Sequence, residues 1–510
     1  MTALLATIPI LTIIVLMVLA RRSAAVAGLV GLATTLVLAT VVFEFEPIAD
    51  HDARIWGVAG SLLEAAFTAA TILWIIFGAL CLHHLQVRTS AIDTIRSSAA
   101  RLTDDPRLLA VLIAWFFALF LEGAAGFGTP IALAAPFLVS FGFRPAQAVS
   151  MALIGHCAGV SFGAVGTPIL PMIAVTTYSG LELSRATGIY HALLGWIMLL
   201  IVVYLARRGL KDEAGAPESN IWPWVGLGAA TFLVPMFAIS RWVGPELPTM
   251  GGALIGAALF IVALAWIQRR QGASDTEDEA HPWLELLRAS SPYLIVIALI
   301  LVTRLVPPIQ AALTEFAITW RLHGRFSGTF QPLYHPGTVL FLGFVIGGWL
   351  QRATLADLGH AMRTALGQLG LVAIALVAML AISRLMVHAS MIAVLAEAAA
   401  SLAGRSWPLF APFIGVLGSF VTGSATASNI LFTDFQHSTA TRLELPPLQI
   451  LGAQGFGAAV GNIISPHNII AGCATVGITG QEGTILRRTL GVCALYATLG
   501  GLLALALAAW

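Results

Sequence analysis

Glu122-Gly-Ala-Ala-Gly-Phe-Gly-Thr-Pro130 lies between two apolar runs, Leu108–Leu121 and Ile131–Phe143. Each run is about 12 to 14 residues long, whereas a helix that crosses a bilayer needs about 20. Two short arms, a glycine-rich tip and a carboxylate at the turn suggest a re-entrant hairpin that turns near mid-membrane. Bare backbone at that depth is tolerated only against protein or a wet cavity. The tip is therefore expected to line a site. Three further breaks share this character. Gly163-Ala-Val-Gly-Thr-Pro168 interrupts the stretch Ala146–Tyr178, and Thr422-Gly-Ser-Ala-Thr-Ala-Ser-Asn429 joins two short arms, Leu409–Val421 and Ile430–Thr441. Gly461-Asn-Ile-Ile-Ser-Pro-His-Asn468 interrupts Leu448–Ile478. Glu122 and Thr422 stand 300 residues apart, and Thr167 and Ser465 stand 298 apart. Each half thus reads as a hairpin followed by a broken helix, the paired pattern that points to a transporter binding site.

Composition sets the class. The 510 residues are 58% hydrophobic and 10% charged, with mean hydropathy +0.90, against about 25% charged in soluble domains. An all-α, polytopic membrane protein of about 12 transmembrane helices plus two re-entrant hairpins is expected. The net charge of +1 implies no nucleic-acid partner. The four cysteines, Cys81, Cys157, Cys473 and Cys493, lie in apolar segments and read as packing residues. No Cys/His spacing suggests a metal, and no cofactor is implied. The first apolar run lacks a charged segment before it and reads as a span rather than a signal peptide.

Along the chain, residues 1–106 supply scaffold helices, Leu4–Ala20, Ala24–Phe43 and Ser61–Cys81, and an interfacial helix within His83–Arg107. An acidic loop with Glu44, Glu46, Asp50 and Asp52 separates the second span from the third. Residues 107–179 hold the first hairpin and broken helix. Residues 180–289 add the spans Thr187–Ala206, Ile221–Ser240 and Met250–Ile267, then a polar linker, Gln268–Glu285. Residues 290–407 open the second half with Pro292–Val306, a long loop Pro307–Pro336, the spans Gly337–Leu350 and Leu366–Ser383, and a second interfacial segment, His388–Gly404. Residues 408–478 repeat the hairpin and broken helix, and 479–510 carry a last span, Thr489–Trp510. Placing Arg21-Arg22 in the cytoplasm puts most Lys and Arg inside. Both termini then face out, and the two hairpins open to opposite sides as inverted repeats.

The chemistry lies at the breaks. Thr129-Pro130, Thr167-Pro168 and Ser465-Pro466 have the pattern of an N-cap residue followed by proline at the first helical position. Ser428 and Asn429 are N-cap types at the fourth break. Four helix N-termini meeting at the midplane would present unpaired N–H groups and partial positive charge to an anion. The chain has four asparagines, and Asn429, Asn462 and Asn468 all sit in the second-half breaks. Each N-terminus contributes about 0.3–2 kcal/mol toward an anion, and desolvating an ion costs several kcal/mol. The terms balance for one carboxylate. No Arg or Lys lies in the breaks to hold a second, so a small monocarboxylate is favoured.

These residues resemble a family. Phe120-Leu-Glu-Gly-Ala-Ala-Gly-Phe-Gly-Thr-Pro130 is similar to the signature of the L-lactate permease family. So are Thr422-Gly-Ser-Ala-Thr-Ala-Ser-Asn-Ile-Leu-Phe432, Ile464-Ser-Pro466, and Ala474-Thr-Val-Gly477 with Glu482-Gly483. The resemblance covers most of the chain. It implies import of L-lactate, D-lactate, glycolate and similar 2-hydroxy monocarboxylates with protons across a bacterial inner membrane. It further implies an elevator-type transport domain and a homodimer, since a fixed scaffold must anchor what moves. The implied site residues are Glu122, Gly123, Gly126, Gly128, Thr129, Pro130, Thr422, Gly423, Ser424, Ser428, Asn429, Ser465 and Pro466. Gly166, Thr167, His467 and Asn468 join them as break residues.

Glu122 is the first candidate for the coupled proton and Asp434 the second, because an intramembrane carboxylate is a functional hypothesis by default. Each has a plain structural alternative: a hydrogen-bonded brace for Glu122, a polar arm face for Asp434. His156 and His467 read more readily as packing residues, and Arg304 and Arg384 as side chains reaching for the interface. Two other functions compete. Unwound backbone beside Ser, Thr and Asn also suits Na⁺, as in a sodium-coupled carboxylate or sodium/proton carrier. A membrane-embedded enzyme would want a third partner beside Ser465 and His467, and none is evident.

Overall fold

The computed structural model describes every residue except 1, 21, 46–51, 101, 104, 127, 210–219, 271–281 and 510. Arg21, Glu46, Asp50, Phe127, Lys211 and most of the polar linker therefore lie outside the described residues.

The first half runs through α1 (Thr2–Ile14), α2 (Ala24–Val41), α3 (Ala53–Arg88) and α4 (Ala91–Ala100). A hairpin follows, with α5 (Pro106–Ala110) and α6 (Ala118–Ala124) in one arm and α7 (Thr129–Ser140) in the other. A π-helical segment, Val111–Phe117, makes α5 and α6 continuous. The first broken helix comprises α8 (Pro145–Gly155), a 3-10 segment Cys157–Phe162, the short turn α9 (Gly163–Gly166) and α10 (Leu170–Val175). Then come α11 (Gly180–Leu194), α12 (Trp196–Gly209), α13 (Trp222–Trp242) and α14 (Pro248–Arg270). The second half starts with α15 (Pro282–Leu305), α16 (Pro307–Glu315) and two strands, β1 (Ile318–Leu322) and β2 (Phe326–Phe330). It continues through α17 (Pro336–Leu350), α18 (Leu355–His388), α19 (Met391–Ala403) and the second hairpin, α20 (Trp407–Thr422) and α21 (Ala425–Arg442). The second broken helix, α22 (Pro447–Gly461) and α23 (Pro466–Thr475), and the last helix, α24 (Glu482–Ala508), complete the chain.

Local sequence sets many of these starts. Asp52 accepts from the N–H of Arg54 and Ile55 at the head of α3, and Ser179 with Glu182 forms a capping box on α11. Among the described residues, nine helices are long and apolar enough to cross a membrane, or ten if α11 and α12, bent by 41°, form one span. The nine include Pro106–Ala124, the first arm of the expected hairpin, which is longer than its apolar run suggested, while Thr2–Met17 and α17 are apolar but shorter. The chain is thus a multi-pass membrane protein.

Three expectations are corrected. The loop Pro307–Pro336 contains α16 and an antiparallel β-hairpin, with Ile318 opposite Phe330 and Leu322 opposite Phe326. His323 and Gly324 take positive φ at its turn, and Phe326 packs against Gly60 of α3. The fold is therefore mostly helical with one small sheet. The third span is 36 residues, because His83–Arg88 continue α3 rather than lying in the interface. The third span of the second half, Leu366–Ser383, likewise belongs to a 34-residue helix, α18, which lies along α3.

The hairpins and broken helices form the interior. An 18-residue apolar stretch within each of Pro106–Ala124 and Pro145–Gly166 is wholly buried, whereas two thirds of the corresponding stretch in α24 is not. Small residues allow this closeness. A Cβ on Gly155 would stand 1.7 Å from the Ala114 carbonyl oxygen, and one on Gly457 would stand 2.0 Å from that of Pro412. The two contacts occupy corresponding places in the two halves. The broken helices also join each other: Ser161 Oγ donates to the Gly455 carbonyl at 2.9 Å.

Candidate functional site

The two hairpin tips and the two breaks enclose a cavity of about 50 Å³. Glu122, Gly126 and Gly128 line it from the first hairpin, and Val160, Gly163, Ala164, Thr167 and Pro168 from the first broken helix. Gly423, Ser424, Ala425 and Thr426 line it from the second hairpin, and Asn462 from the second break. Elements 300 residues apart in sequence thus meet around one small space.

Glu122 sits in the last turn of α6 and is buried. Its Oε1 lies where a Cβ on Gly163 would be, 2.1 Å from that position, so the glycine leaves the carboxylate its room. Among the described residues, none hydrogen-bonds this carboxylate, and none of the lining residues is basic. The chain then turns through Gly126 and Gly128, with φ of 59° and 80°.

Gly128, not Thr129, is the residue that precedes α7. Thr129 is already helical, and its N–H donates to the Gly126 carbonyl at 2.9 Å. The first break contains a left-handed turn. Ala164 has φ 42° and ψ 55°, Val165 has φ 55° and ψ 48°, and Gly166 has φ 78°. Positive φ at a β-branched residue is strained, and such strain gathers at functional sites. Thr167 is not an N-cap either: its Oγ1 donates back to the Ala164 carbonyl at 2.5 Å and closes the turn.

In the second hairpin, Gly423 ends α20 with φ 74°, and Ser424 caps α21 by accepting from Ala427 N at 3.3 Å. The cap is therefore Ser424 rather than Ser428 or Asn429. Thr422 Oγ1 donates to the Gly418 carbonyl at 2.7 Å. Behind the tip runs a buried polar chain. Trp407 Nε1 donates to Gln436, and Gln436 Nε2 donates to Gln454 Oε1 at 3.0 Å. Gln454 Nε2 donates to Ser428 Oγ and to Asn429 Oδ1, and Asn429 Nδ2 donates to the Pro168 carbonyl at 2.8 Å. Ser428 and Asn429 thus act as braces, and Asn429 ties the second hairpin to the first break.

At the second break Ser465 precedes α23, but its side chain makes no capping bond. Its Oγ is buried without a partner among the described residues, 3.3 Å from the Cβ position of Gly423. His467 is exposed, with its Cβ 3.2 Å from the same position. Asn468 Nδ2 donates to Asn462 Oδ1 at 2.8 Å. His156 reaches the Ala152 carbonyl and Asn462, so its ring is spent on packing bonds. Asp434 lies on α21 outside the cavity lining and pairs with Arg384 of α18. Three helices of ten or more residues, α7, α21 and α23, start at the cavity or beside it. Their N–H groups offer partial positive charge to an anion. Sequence reading did not select Gly163, Ala164 or Asn462 as site residues. A left-handed turn at Ala-Val carries no compositional signal.

The family model described as L-lactate permease matches residues 2–327 and 325–509. The chain belongs to the L-lactate permease family. It is 29% identical to the L-lactate permease of Bacillus subtilis (strain 168), over 96% of this chain and 93% of that protein. It is 28% identical to the glycolate permease GlcA of Escherichia coli (strain K12), over 99% of this chain and 95% of that one. Among solved structures, the YdaH transporter of Alcanivorax borkumensis is similar in fold. The TM-score is 0.53 at 14% identity, covering 95% of this chain and 98% of that chain. Members of this family are transporters, not enzymes, and the family supports lactate or glycolate as the cargo.

Proposed function

We propose that the chain imports L-lactate and related 2-hydroxy monocarboxylates, D-lactate and glycolate among them, with protons across the bacterial inner membrane. The observation that carries the reading is the cavity between the tips. It holds one carboxylate, Glu122, no cation among its described lining, and the starts of α7 and α21, with α23 alongside. At about 50 Å³ it is far below the 300–1,000 Å³ of sites for drug-sized ligands, which suits an acid of a few heavy atoms. Three N-termini at about 0.3–2 kcal/mol each offset the loss of hydration of one carboxylate. Substrate contacts are proposed at Gly126, Gly128, Thr129, Gly166, Thr167, Thr422, Gly423, Ser424, Ser465, His467 and Asn468. Ser428 and Asn429 support them from behind.

Glu122 is proposed as the proton carrier. A neutral Glu122 leaves the positive pocket to the substrate, an ionised one repels it, and proton and substrate binding become reciprocally coupled. One proton with one monoanion moves no net charge. Residues 107–179 and 408–478 are proposed as inverted repeats forming a domain that moves against a scaffold of residues 1–106, 180–289, 290–407 and 479–510, anchored in a homodimer.

The test is uptake of labelled L-lactate by the purified protein in liposomes, with a pH or sodium gradient imposed separately. Acid outside should drive accumulation and sodium should not. Accumulation driven by sodium alone would overturn the proton reading, and no uptake of any 2-hydroxy acid would overturn the whole.

A further inference from the structure

A second, larger cavity of about 660 Å³ lies between α3, α10 and the β1–β2 hairpin. Thr68 and Thr71 of α3 and Leu170 and Ile173 of α10 line it. Leu170 stands two residues after Pro168, which lines the small cavity. The first broken helix thus contributes residues to both spaces. Other lining segments, Ser179–Leu181, Trp242–Glu246 and the turn before α17, all belong to connections that the arginine bias assigns to the outside.

One wall of this vestibule carries Arg304 and Glu246, whose side chains are 6% and 9% exposed. Arg304 is not reaching for the interface, as its position near a helix end suggested. Its Nε and Nη2 donate to Glu246 Oε1 at 3.1 and 2.8 Å, Nη2 also donates to the Tyr334 carbonyl, and the guanidinium lies over the Tyr334 ring. Both bonds to Glu246 use the same oxygen. Nη1 of Arg304 and Oε2 of Glu246 are left buried without partners among the described residues. A guanidinium offers five donors in a rigid fork suited to a carboxylate, and here one buried arm of the fork is unspent on a residue that lines the cavity.

We propose that Arg304 Nη1 forms an outer capture site for the substrate carboxylate, occupied before the substrate passes to the cavity between the tips. This rests on the reading that the chain carries carboxylates. Tyr334 and Glu246 fix the fork, and the negative charge of Glu246 keeps the hold weak enough for release.

The experiment is initial lactate uptake by the reconstituted protein as a function of outside concentration, for wild type, Arg304→Gln, Glu246→Gln and the double variant. The three variants lose the same ion pair, but the charge left behind has opposite sign in the two single variants. Arg304→Gln should raise KM about tenfold, the loss of one charge-assisted hydrogen bond, with the maximal rate little changed. Glu246→Gln should lower KM. If Arg304→Gln fails to fold because Glu246 is left buried alone, the double variant, compared with Glu246→Gln, isolates Arg304 and should show the higher KM. KM shifts of the same sign in both single variants, or no KM difference between the double variant and Glu246→Gln, would overturn the capture site. A wild type that carries no lactate would instead overturn the functional reading beneath it.

Discussion

A methyl group at residue 163 would stand 2.1 Å from Oε1 of Glu122. The Gly163 backbone, φ −64° and ψ 157°, accepts any residue, and Glu122 is flexible enough to swing away. Gly163→Ala should therefore leave the melting temperature nearly unchanged while moving the carboxylate. Lactate uptake should fall by roughly tenfold, about 1.4 kcal/mol; unchanged uptake with an unchanged fold would remove the position of Glu122 from the mechanism. The next residue gives the opposite kind of test. Ala164 occupies left-handed space, which costs an L-residue about 1–2 kcal/mol. Ala164→Gly should stabilise the protein by about 1 kcal/mol, read as a higher melting temperature, because a glycine has no such penalty. Glu122 was legible in the sequence because a carboxylate in an apolar run has few bland explanations. Gly163 was not, because its role is to leave free the space another side chain uses, and that is visible only in the folded chain.

Element boundaries separate the two kinds of break residue. Ser424 and Ser465 both precede helices, yet only Ser424 makes a capping bond. Ser424→Ala should cost about 1 kcal/mol of stability. Ser465→Ala has no cap to lose, and it removes a buried hydroxyl that lacks a partner among the described residues. Its melting temperature should hold or rise slightly, while KM for lactate rises about fivefold, close to 1 kcal/mol, if the substrate supplies the missing bond. A parallel fall in stability and affinity would mean that Ser465 is structural. Glycine, proline and short apolar arms made the four breaks visible before the fold was known. They could not distinguish a cap from a first helical residue, as Thr129 shows, since that difference is one residue of backbone geometry. The braces were misread for a related reason. Ser428 and Asn429 have the composition of caps, but their partners Gln454 and Pro168 come from other elements. The β-hairpin was hidden in a stretch whose turn, His323-Gly324, is short and whose packing surface is Gly60 of α3, more than 250 residues away.

At the scale of the molecule, the two carboxylates proposed for proton coupling stand in different places. Glu122 faces the cavity with no cation among its described lining, whereas Asp434, on the second hairpin, pairs with Arg384 on the long helix α18. Ser383 adds a bond to Asp434, and the neighbouring His388 pairs with Glu64 of α3. Asp434 thus joins the proposed moving domain to the proposed scaffold. The 300-residue offset made the pairing of hairpins legible in the sequence. The contact between α18 and α21 was not, because nothing in the run of either helix names its neighbour. The prediction follows from the difference in partners. Glu122→Gln leaves no buried charge behind, so the protein should fold. It should exchange lactate across the membrane and lose accumulation driven by a pH gradient. Asp434→Asn leaves Arg384 buried and unpaired, which costs about 3–5 kcal/mol, so its first effect should be on protein yield and melting temperature. The double variant Asp434→Asn with Arg384→Gln removes both charges and should recover much of that stability. If the recovered protein still accumulates lactate against a gradient when only pH differs across the membrane, Asp434 is a joint between domains and Glu122 carries the proton. If it exchanges lactate but no longer accumulates it, while Glu122→Gln still does, the two roles are reversed.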